Sequence, residues 1–205
     1  MTTLRIAVLG AGKIGGTLGR KWVDAGHDVV FGVRDLEGDG AQALRAEPGE
    51  RTRVATIADA VAIAEVVLLA VPGRVAAETA TRLGAALDGK TVIDATNNMG
   101  APTINSVAAI QAAAPDARVF RAFNCYGWEN FADPVYDGGP ADLFYAGPAG
   151  EAGAAVERLI GDVGLRPVRL GDSDQAGLTD DALRLWFGLV RGGHGRHIAF
   201  RLLGA

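Results

Sequence analysis

The sequence predicts an α/β fold in which helices cover both faces of a doubly wound, mostly parallel sheet. Short apolar runs alternate with helical patterns along most of the 205-residue chain, which is the order that builds parallel sheets. These runs are apolar at consecutive positions, as expected for strands that are buried on both faces. A short helical appendage is predicted at the C-terminus, where the alternation stops.

The elements follow one another from the N-terminus. A strand is predicted over residues 4–9, because this apolar run ends at Gly10. A helix follows over 13–25, where apolar positions recur at helical spacing and Gly26 stands at the place of a C-terminal cap. The same criteria predict further strands near 28–33, 52–55, 65–71, 91–96, 118–123, 142–147 and 166–170, and further helices near 39–47, 57–63, 74–87, 103–113 and 150–164.

We predict a single domain over residues 1–205, since no linker, low-complexity tract or repeat divides the chain. From about residue 174 the pattern is helical only. C-terminal helices are therefore expected over about 174–205, with the glycines of residues 191–196 separating two of them.

The composition excludes several classes of function. A formal net charge of −4 provides no broad basic surface for nucleic acid or anionic lipid. The longest apolar run, Val61–Val71, is interrupted by Glu65 and is too short to span a bilayer. The single cysteine and the lack of a signal-peptide pattern favour a cytoplasmic protein.

The pattern G-x-G-x-x-G, formed by Gly10, Gly12 and Gly15, stands between the first predicted strand and the first predicted helix. In this position it is typical of Rossmann-type, dinucleotide-binding sheets. The first glycine permits a tight turn, the second lets the backbone approach a pyrophosphate, and the third lets helix and strand pack closely. The alternative is a glycine-rich turn that binds nothing, but the strand and helix on either side favour a dinucleotide site.

Residues 84–91, GAALDGKT, also match the letters of the phosphate-binding P-loop. That motif must follow a strand and open a helix. Here it ends a predicted helix and leads into a strand, so Lys90 is expected at the sheet edge opposite the ligand crevice. We therefore exclude ATP or GTP hydrolysis on this pattern.

The choice of dinucleotide depends on the end of the second predicted strand, which reads Val33, Arg34, Asp35. An arginine here can bind the 2′-phosphate of NADP through a bidentate, charge-assisted pair. An acidic residue would instead bind the ribose hydroxyl of NAD. We favour NADP because of Arg34, and NAD is the alternative if Asp35 faces the ribose.

Four motifs occur in order: the glycine loop, GVRD at 32–35, LLAVP at 68–72 and GLRPV at 164–168. With them the chain resembles, over nearly its whole length, the small reductases that transfer hydride between NADPH and the 8-hydroxy-5-deazaflavin coenzyme, and the related NADPH domains of metalloreductases. The resemblance implies a pyrophosphate site at the loop, a 2′-phosphate site at Arg34, and a nicotinamide site bordered by Val71 and Pro72. The implied loop residues are Gly10, Ala11, Gly12, Lys13, Ile14 and Gly15. Val33 departs from the family, which often has a hydroxyl residue there.

The segment Ala122–Pro134 is unusual, because polar and aromatic residues follow a predicted strand. By position it resembles the part of the deazaflavin reductases that contacts the second cofactor. The resemblance implies Asn124 and Tyr126 as hydrogen-bond partners of an acceptor ring and Trp128 as a surface on which it stacks. The alternative is that the aromatic residues anchor the loop to the core. Cys125 has no activating partner in the sequence and is interpreted as a small buried residue.

These observations predict an NADPH-dependent oxidoreductase that transfers hydride between NADP(H) and a deazaflavin-type coenzyme. Two alternatives are open: a reductase of another acceptor, such as a flavin, imine or carbonyl compound, and a non-catalytic NADP(H)-binding module. No catalytic residue is assigned, because the cofactors carry the chemistry of hydride transfer and the sequence has no Tyr-x-x-x-Lys pair. No metal-ligand pattern accompanies the histidines. We expect a homodimer that acts on a small molecule or a cofactor.

Overall fold

The computed structural model describes residues 2–45 and 52–204. The strands are β1 (Arg5–Leu9), β2 (Asp28–Val33), β3 (Thr52–Thr56), β4 (Val66–Leu69), β5 (Thr91–Asp94), β6 (Arg118–Arg121), β7 (Asp142–Tyr145) and β8 (Arg166–Arg169). The helices are α1 (Lys13–Asp24), α2 (Asp39–Arg45), α3 (Ile57–Ile63), α4 (Gly73–Leu83), α5 (Val107–Ala113), α6 (Trp128–Ala132), α7 (Glu151–Val163) and α8 (Ala176–Leu189). The last two residues of the helix predicted near 39–47 lie outside the described residues.

The main sheet confirms the predicted doubly wound architecture. Its six strands are all parallel and lie in the order β3-β2-β1-β4-β5-β6. The strand order reverses between β1 and β4, and ligands of such sheets bind in the crevice at the carboxyl ends of the strands at this point. β7 and β8 form a separate parallel pair.

Backbone hydrogen bonds join the separate pair to the main sheet. At the end of β6, Arg121 exchanges two antiparallel backbone hydrogen bonds of 2.8 and 3.0 Å with Ala146, the residue that follows β7. In addition, Trp22 of α1 donates its indole N–H to the carbonyl oxygen of Leu159 on α7 at 3.0 Å. The last strand–helix–strand unit is therefore packed against the glycine-loop helix.

Helix α5 begins at Val107, four residues later than the helix predicted near 103–113. The reason is the buried carboxylate of Asp94 at the end of β5. One of its oxygens accepts from the Thr96 amide at 2.9 Å, and the other accepts from the Ser106 amide at 2.6 Å. These bonds hold the chain before α5 in an irregular loop against the sheet.

The C-terminal appendage is helical only in its first part. Helix α8 confirms the helix expected from about residue 174. The prediction of a second helix before residue 205 is wrong. After a π-helical turn at Val190–His194, Gly193 and Gly195 take positive φ angles of 95° and 77° that end the helix. The chain then runs without helix to residue 204, and the Phe200 carbonyl accepts from the Asp142 amide of β7 at 2.9 Å. Across the described residues, no helix is both long and apolar enough to cross a membrane.

Candidate functional site

The glycine loop joins β1 to α1 where the strand order reverses. Gly10 has a φ of 103°, and a Cβ atom there would lie 2.6 Å from the carbonyl oxygen of Ala70. A Cβ atom on Gly15 would overlap the carbonyl oxygen of Gly10. Gly10 is therefore required by its left-handed backbone, and Gly15 by the close approach of α1 to the turn.

Gly12 differs from these two glycines, because a Cβ atom there would meet nothing of the protein within 4 Å. The packing of the protein itself therefore does not require glycine at this position. It is the residue that precedes α1, and Ala11, Gly12 and Lys13 are all exposed. Ile14, by contrast, packs against the core. The first amide groups of α1 thus open on to the crevice, which is the arrangement that binds phosphate at a helix start.

At the end of β2, Arg34 and Asp35 are both exposed, but their side chains differ in what they bind. The Asp35 carboxylate accepts a hydrogen bond of 2.9 Å from the Glu37 amide. It is thus used within the turn that leads to α2. In the described part of the chain, the Arg34 guanidinium makes no hydrogen bond or ion pair. Arg34 therefore offers a cationic group to a ligand at this strand end, whereas Asp35 uses one carboxylate oxygen, Oδ1, to hold the turn.

Val71 and Pro72 lie beside the glycine loop, at the exit from β4. A Cβ atom on Gly10 would lie 3.0 Å from the Val71 amide nitrogen. Val71 is half-buried, and Pro72 is exposed and directly precedes α4. A Cβ atom on Gly73 would overlap the backbone of Asn97, so the start of α4 lies against the loop after β5. These residues form the second side of the crevice.

A buried ion cluster, consisting of Arg121, Asp94 and Asp180, lies beneath the loops that follow β5 and β6. The Nε and Nη2 atoms of Arg121 donate to Asp180 Oδ1 at 3.0 and 2.7 Å. Its Nη1 atom lies 3.3 Å from Asp94 Oδ2, and Nη2 donates to Asn97 Oδ1 at 2.7 Å. The cluster therefore ties α8 to the sheet and orients Asn97. Sequence analysis did not identify it, although a charged residue inside each of two buried strands was a signal.

Asn124 lies in the core rather than at the surface of the crevice. It is fully buried, and its amide nitrogen donates to the Thr179 carbonyl at 3.2 Å and to Asp180 Oδ1 at 3.4 Å. Its Oδ1 atom has no hydrogen-bond partner among the described residues. Phe123 before it has a φ of 59°, a left-handed conformation that is costly for a bulky residue. The loop after β6 is thus held in an unusual backbone conformation by contacts with α8.

Tyr126 is also buried, and its hydroxyl group is occupied. The hydroxyl donates to the Asp142 carbonyl at 2.5 Å and accepts from the Phe200 amide at 3.0 Å. Burial raises its pKa, so that it stays protonated at neutral pH. Tyr126 therefore connects the loop to β7 and the C-terminal segment, and its contact with an acceptor stays a prediction that this geometry does not favour.

Cys125 is expected to resist thiol reagents in the folded protein. The residue is fully buried, and burial raises its pKa to about 12, so the reactive thiolate is essentially absent at neutral pH. Labelling with iodoacetamide, followed by mass spectrometry, is expected to be negligible in buffer and complete in denaturant. Equal labelling rates in the two conditions would show that the thiol is accessible in the native state.

Trp128 is the acceptor candidate that lies next to the glycine loop. It is half-buried, and the Nζ atom of Lys13 lies 5.1 Å from the centre of its indole ring. The following residue, Glu129, accepts hydrogen bonds of 2.8 and 3.3 Å from Arg196. The structure thus brings Lys13 and Trp128 together but keeps Asn124 and Tyr126 beneath the surface.

Lys90 lies where the sequence predicts, at the N-terminal end of β5 and on the edge of the sheet away from the glycine loop. Its Nζ atom donates to the Ala64 carbonyl at 2.7 Å. Burial and the nearby Arg5 charge lower its pKa. It borders a cavity of about 530 Å³ that includes none of the predicted cofactor residues. Residues 2–45 and 52–204 contain no group of three or more acidic, histidine or cysteine side chains arranged to hold a metal ion.

Comparisons with known proteins show what the chain is similar to. Residues 5–98 match the family model described as NADP oxidoreductase, coenzyme F420-dependent. A crystal structure from Arthrobacter sp. FB24, provisionally described as an F420-dependent NADP reductase, is 29% identical with a TM-score of 0.85. The alignment covers 98% of this chain and 100% of that one. No curated protein matched the chain.

Two further structures share the fold. A hypothetical protein from Sinorhizobium meliloti is 29% identical over 84% of this chain and 86% of its own, with a TM-score of 0.65. A reductive aminase from Aspergillus terreus, solved with NADPH and ethyl levulinate, is 22% identical with a TM-score of 0.69. The alignment covers 95% of this chain but 63% of the aminase, so the larger enzyme has a part with no counterpart here.

Proposed function

We propose that this chain, which is an NAD(P)-dependent oxidoreductase, transfers hydride between NADP(H) and a deazaflavin-type coenzyme. The observation that carries the proposal is the similarity to the Arthrobacter protein over essentially the full length of both chains. The family description of residues 5–98 supports the same pair of cofactors, since coenzyme F420 is an 8-hydroxy-5-deazaflavin.

The preference for NADP over NAD rests on the end of β2. Arg34 offers an exposed guanidinium group that no described residue binds, whereas Asp35 already accepts from the Glu37 amide. A guanidinium group forms paired, charge-assisted hydrogen bonds with a phosphate but gains much less from a ribose hydroxyl. The available charge at this position therefore matches the additional phosphate of NADP.

Exposed residues at the carboxyl ends of the strands support a dinucleotide site in the crevice. The exposed start of α1 and Lys13 would hold the pyrophosphate, and Val71 and Pro72 would border the nicotinamide ring. When it is bound, the reduced nicotinamide supplies the hydride. Orienting two rings is the main task left to the protein, which agrees with the lack of an assigned acid or base. Trp128, half-buried beside the glycine loop, is the aromatic surface best placed for the acceptor ring.

Gly12→Ala tests the dinucleotide site without disturbing the fold. Because a Cβ atom at Gly12 has free space and its φ of −71° suits alanine, the free energy of unfolding is expected to change by less than about 0.5 kcal/mol. The added methyl group would stand between the backbone and the pyrophosphate, so we expect NADPH to bind about tenfold more weakly. Calorimetry and urea unfolding measure the two quantities. Unchanged affinity would contradict the placement of the pyrophosphate.

Turnover tests the proposed acceptor directly. Purified protein is mixed with NADPH and oxidised deazaflavin coenzyme, and the loss of reduced-nicotinamide absorbance is followed. The same assay with a flavin, a cyclic imine and a carbonyl compound tests the other acceptors, for which the reductive aminase offers only a shared fold. Rapid turnover with the deazaflavin alone supports the proposal. Turnover confined to another acceptor would reassign the substrate, and tight NADPH binding with no turnover would refute the proposed reaction.

A further inference from the structure

The contact between Lys13 and Trp128 joins the two halves of the proposed site. Lys13 is the first residue of α1, in the loop that would hold the pyrophosphate, and Trp128 is the first residue of α6, beside the acceptor position. The Lys13 ammonium group lies 5.1 Å from the centre of the indole ring, within the range of a cation–π contact. One side chain of the dinucleotide site therefore covers part of the ring that we assign to the acceptor.

The backbone on either side of Trp128 is held by contacts of its neighbouring residues with Arg196. Arg196 donates two hydrogen bonds to the neighbouring Glu129, and its carbonyl oxygen accepts from the Asn130 amide group at 2.9 Å. A Cβ atom on Gly127 would collide with both partners of this ion pair, so the backbone before Trp128 is closely packed. When the contact breaks, we therefore expect the Lys13 side chain to move while the backbone of Trp128 stays in place.

A bound pyrophosphate would compete with the indole ring for Lys13. Charge-assisted hydrogen bonds to phosphate are stronger than a cation–π contact at an exposed site. Lys13 is exposed and its flexible side chain starts at the end of α1 where the phosphates would bind. The ammonium group should therefore leave Trp128 when the dinucleotide binds.

We propose that Lys13 couples the two ligands of the site: it covers the Trp128 ring in the free protein, and the dinucleotide phosphates draw it away and expose that ring to the acceptor. The proposal rests on the proposed function only in requiring a dinucleotide and a planar acceptor at this crevice. This coupling predicts that the acceptor binds more tightly to the protein–dinucleotide complex than to the free protein. Coupling of this kind changes affinities by about fivefold or more.

Acrylamide quenching of tryptophan emission measures the exposure of Trp128. The other two tryptophans, Trp22 and Trp186, are 0% and 1% exposed, so the quenchable emission comes from Trp128. The probe is 2′-phospho-ADP-ribose, which carries the phosphates of NADP without the nicotinamide ring that could itself cover an aromatic surface. We expect the Stern–Volmer quenching constant to rise when this probe binds.

Three variants complete the experiment. Lys13→Ala is expected to have the higher quenching constant without the probe and to show no further rise with it. Lys21→Ala, in the last turn of the same helix, is the matched control and should respond as the wild type does. Trp128→Phe should have a low constant in both states. For the wild type, but not for Lys13→Ala, the probe should also increase the affinity for the deazaflavin coenzyme by about fivefold or more.

Calorimetry of the probe separates the possible failures. Binding without a change in quenching, or the same change in Lys13→Ala as in the wild type, would overturn the coupling and leave the dinucleotide site intact. If the probe does not bind at all, the proposed dinucleotide site fails, and the coupling fails with it.

Discussion

Replacing Arg121 by methionine is expected to lower the free energy of unfolding by about 3–5 kcal/mol. The substitution removes the cation from a fully buried cluster and leaves the Asp94 and Asp180 carboxylates without their ionic partner. Removing one member of a buried ion pair typically costs this much, because the remaining charge stays in the protein interior. Urea unfolding followed by circular dichroism measures the loss.

The matched control for Arg121→Met is Arg118→Met, which lies at the start of the same strand, β6. Arg118 is exposed, and its guanidinium group donates to the Gly89 carbonyl at the surface. Its replacement should cost no more than about 1 kcal/mol. If the two variants unfold at the same urea concentration, the cluster does not stabilise the fold in the way that we infer.

Replacing Arg34 by alanine is expected to weaken NADPH binding by roughly 10- to 150-fold and NADH binding by less than about twofold. The estimate corresponds to the loss of about 1.5–3 kcal/mol from charge-assisted hydrogen bonds to the 2′-phosphate, which NADH lacks. Because Arg34 is exposed and makes no hydrogen bond or ion pair in the described part of the chain, its removal should leave the fold unchanged. Calorimetric titration with each dinucleotide measures the effect.

Two variants control for the charge change at Arg34. Arg82→Ala removes an exposed arginine from the last turn of α4 and should leave both affinities unchanged. Asp35→Ala should reduce NADH affinity little, because the Asp35 carboxylate is bonded to the Glu37 amide. An equal loss of NADPH and NADH affinity in Arg34→Ala, or a large loss of NADH affinity in Asp35→Ala, would contradict the proposed selectivity.

Much of the main sheet was predictable because its signals are local. Consecutive apolar residues indicated strands buried on both faces, and the predicted strand 28–33 has the bounds of β2. The glycine motif was predictable for the same reason. Its three glycines lie within six residues and serve, in order, a tight turn, a free surface and a close contact between helix and turn. The distinction between Gly12, which faces open space, and Gly10 and Gly15, which do not, agrees with the roles predicted from spacing.

The candidate acceptor site was predicted less completely, because neighbouring residues in a loop can point to opposite sides. Asn124, Tyr126 and Trp128 were equivalent candidates in the sequence, but Asn124 and Tyr126 are buried and Trp128 is half-buried beside Lys13. Their different positions depend on α8 and residue 200, which lie far along the chain and contact Asn124 and Tyr126. No local pattern contains that information.

The sequence by itself therefore determined the order of strands and helices along the chain, the glycine loop and the arginine at the end of β2. These features could be predicted because periodicity and turn chemistry act over a few residues. Only the tertiary structure decided that Arg121 meets Asp180 and that Lys13 meets Trp128. It also decided that the chain after Gly195 runs beside β7 instead of forming a second helix. Such pairings bring together groups from distant parts of the chain, and burial and charge select them only once the sheet and its helices are packed.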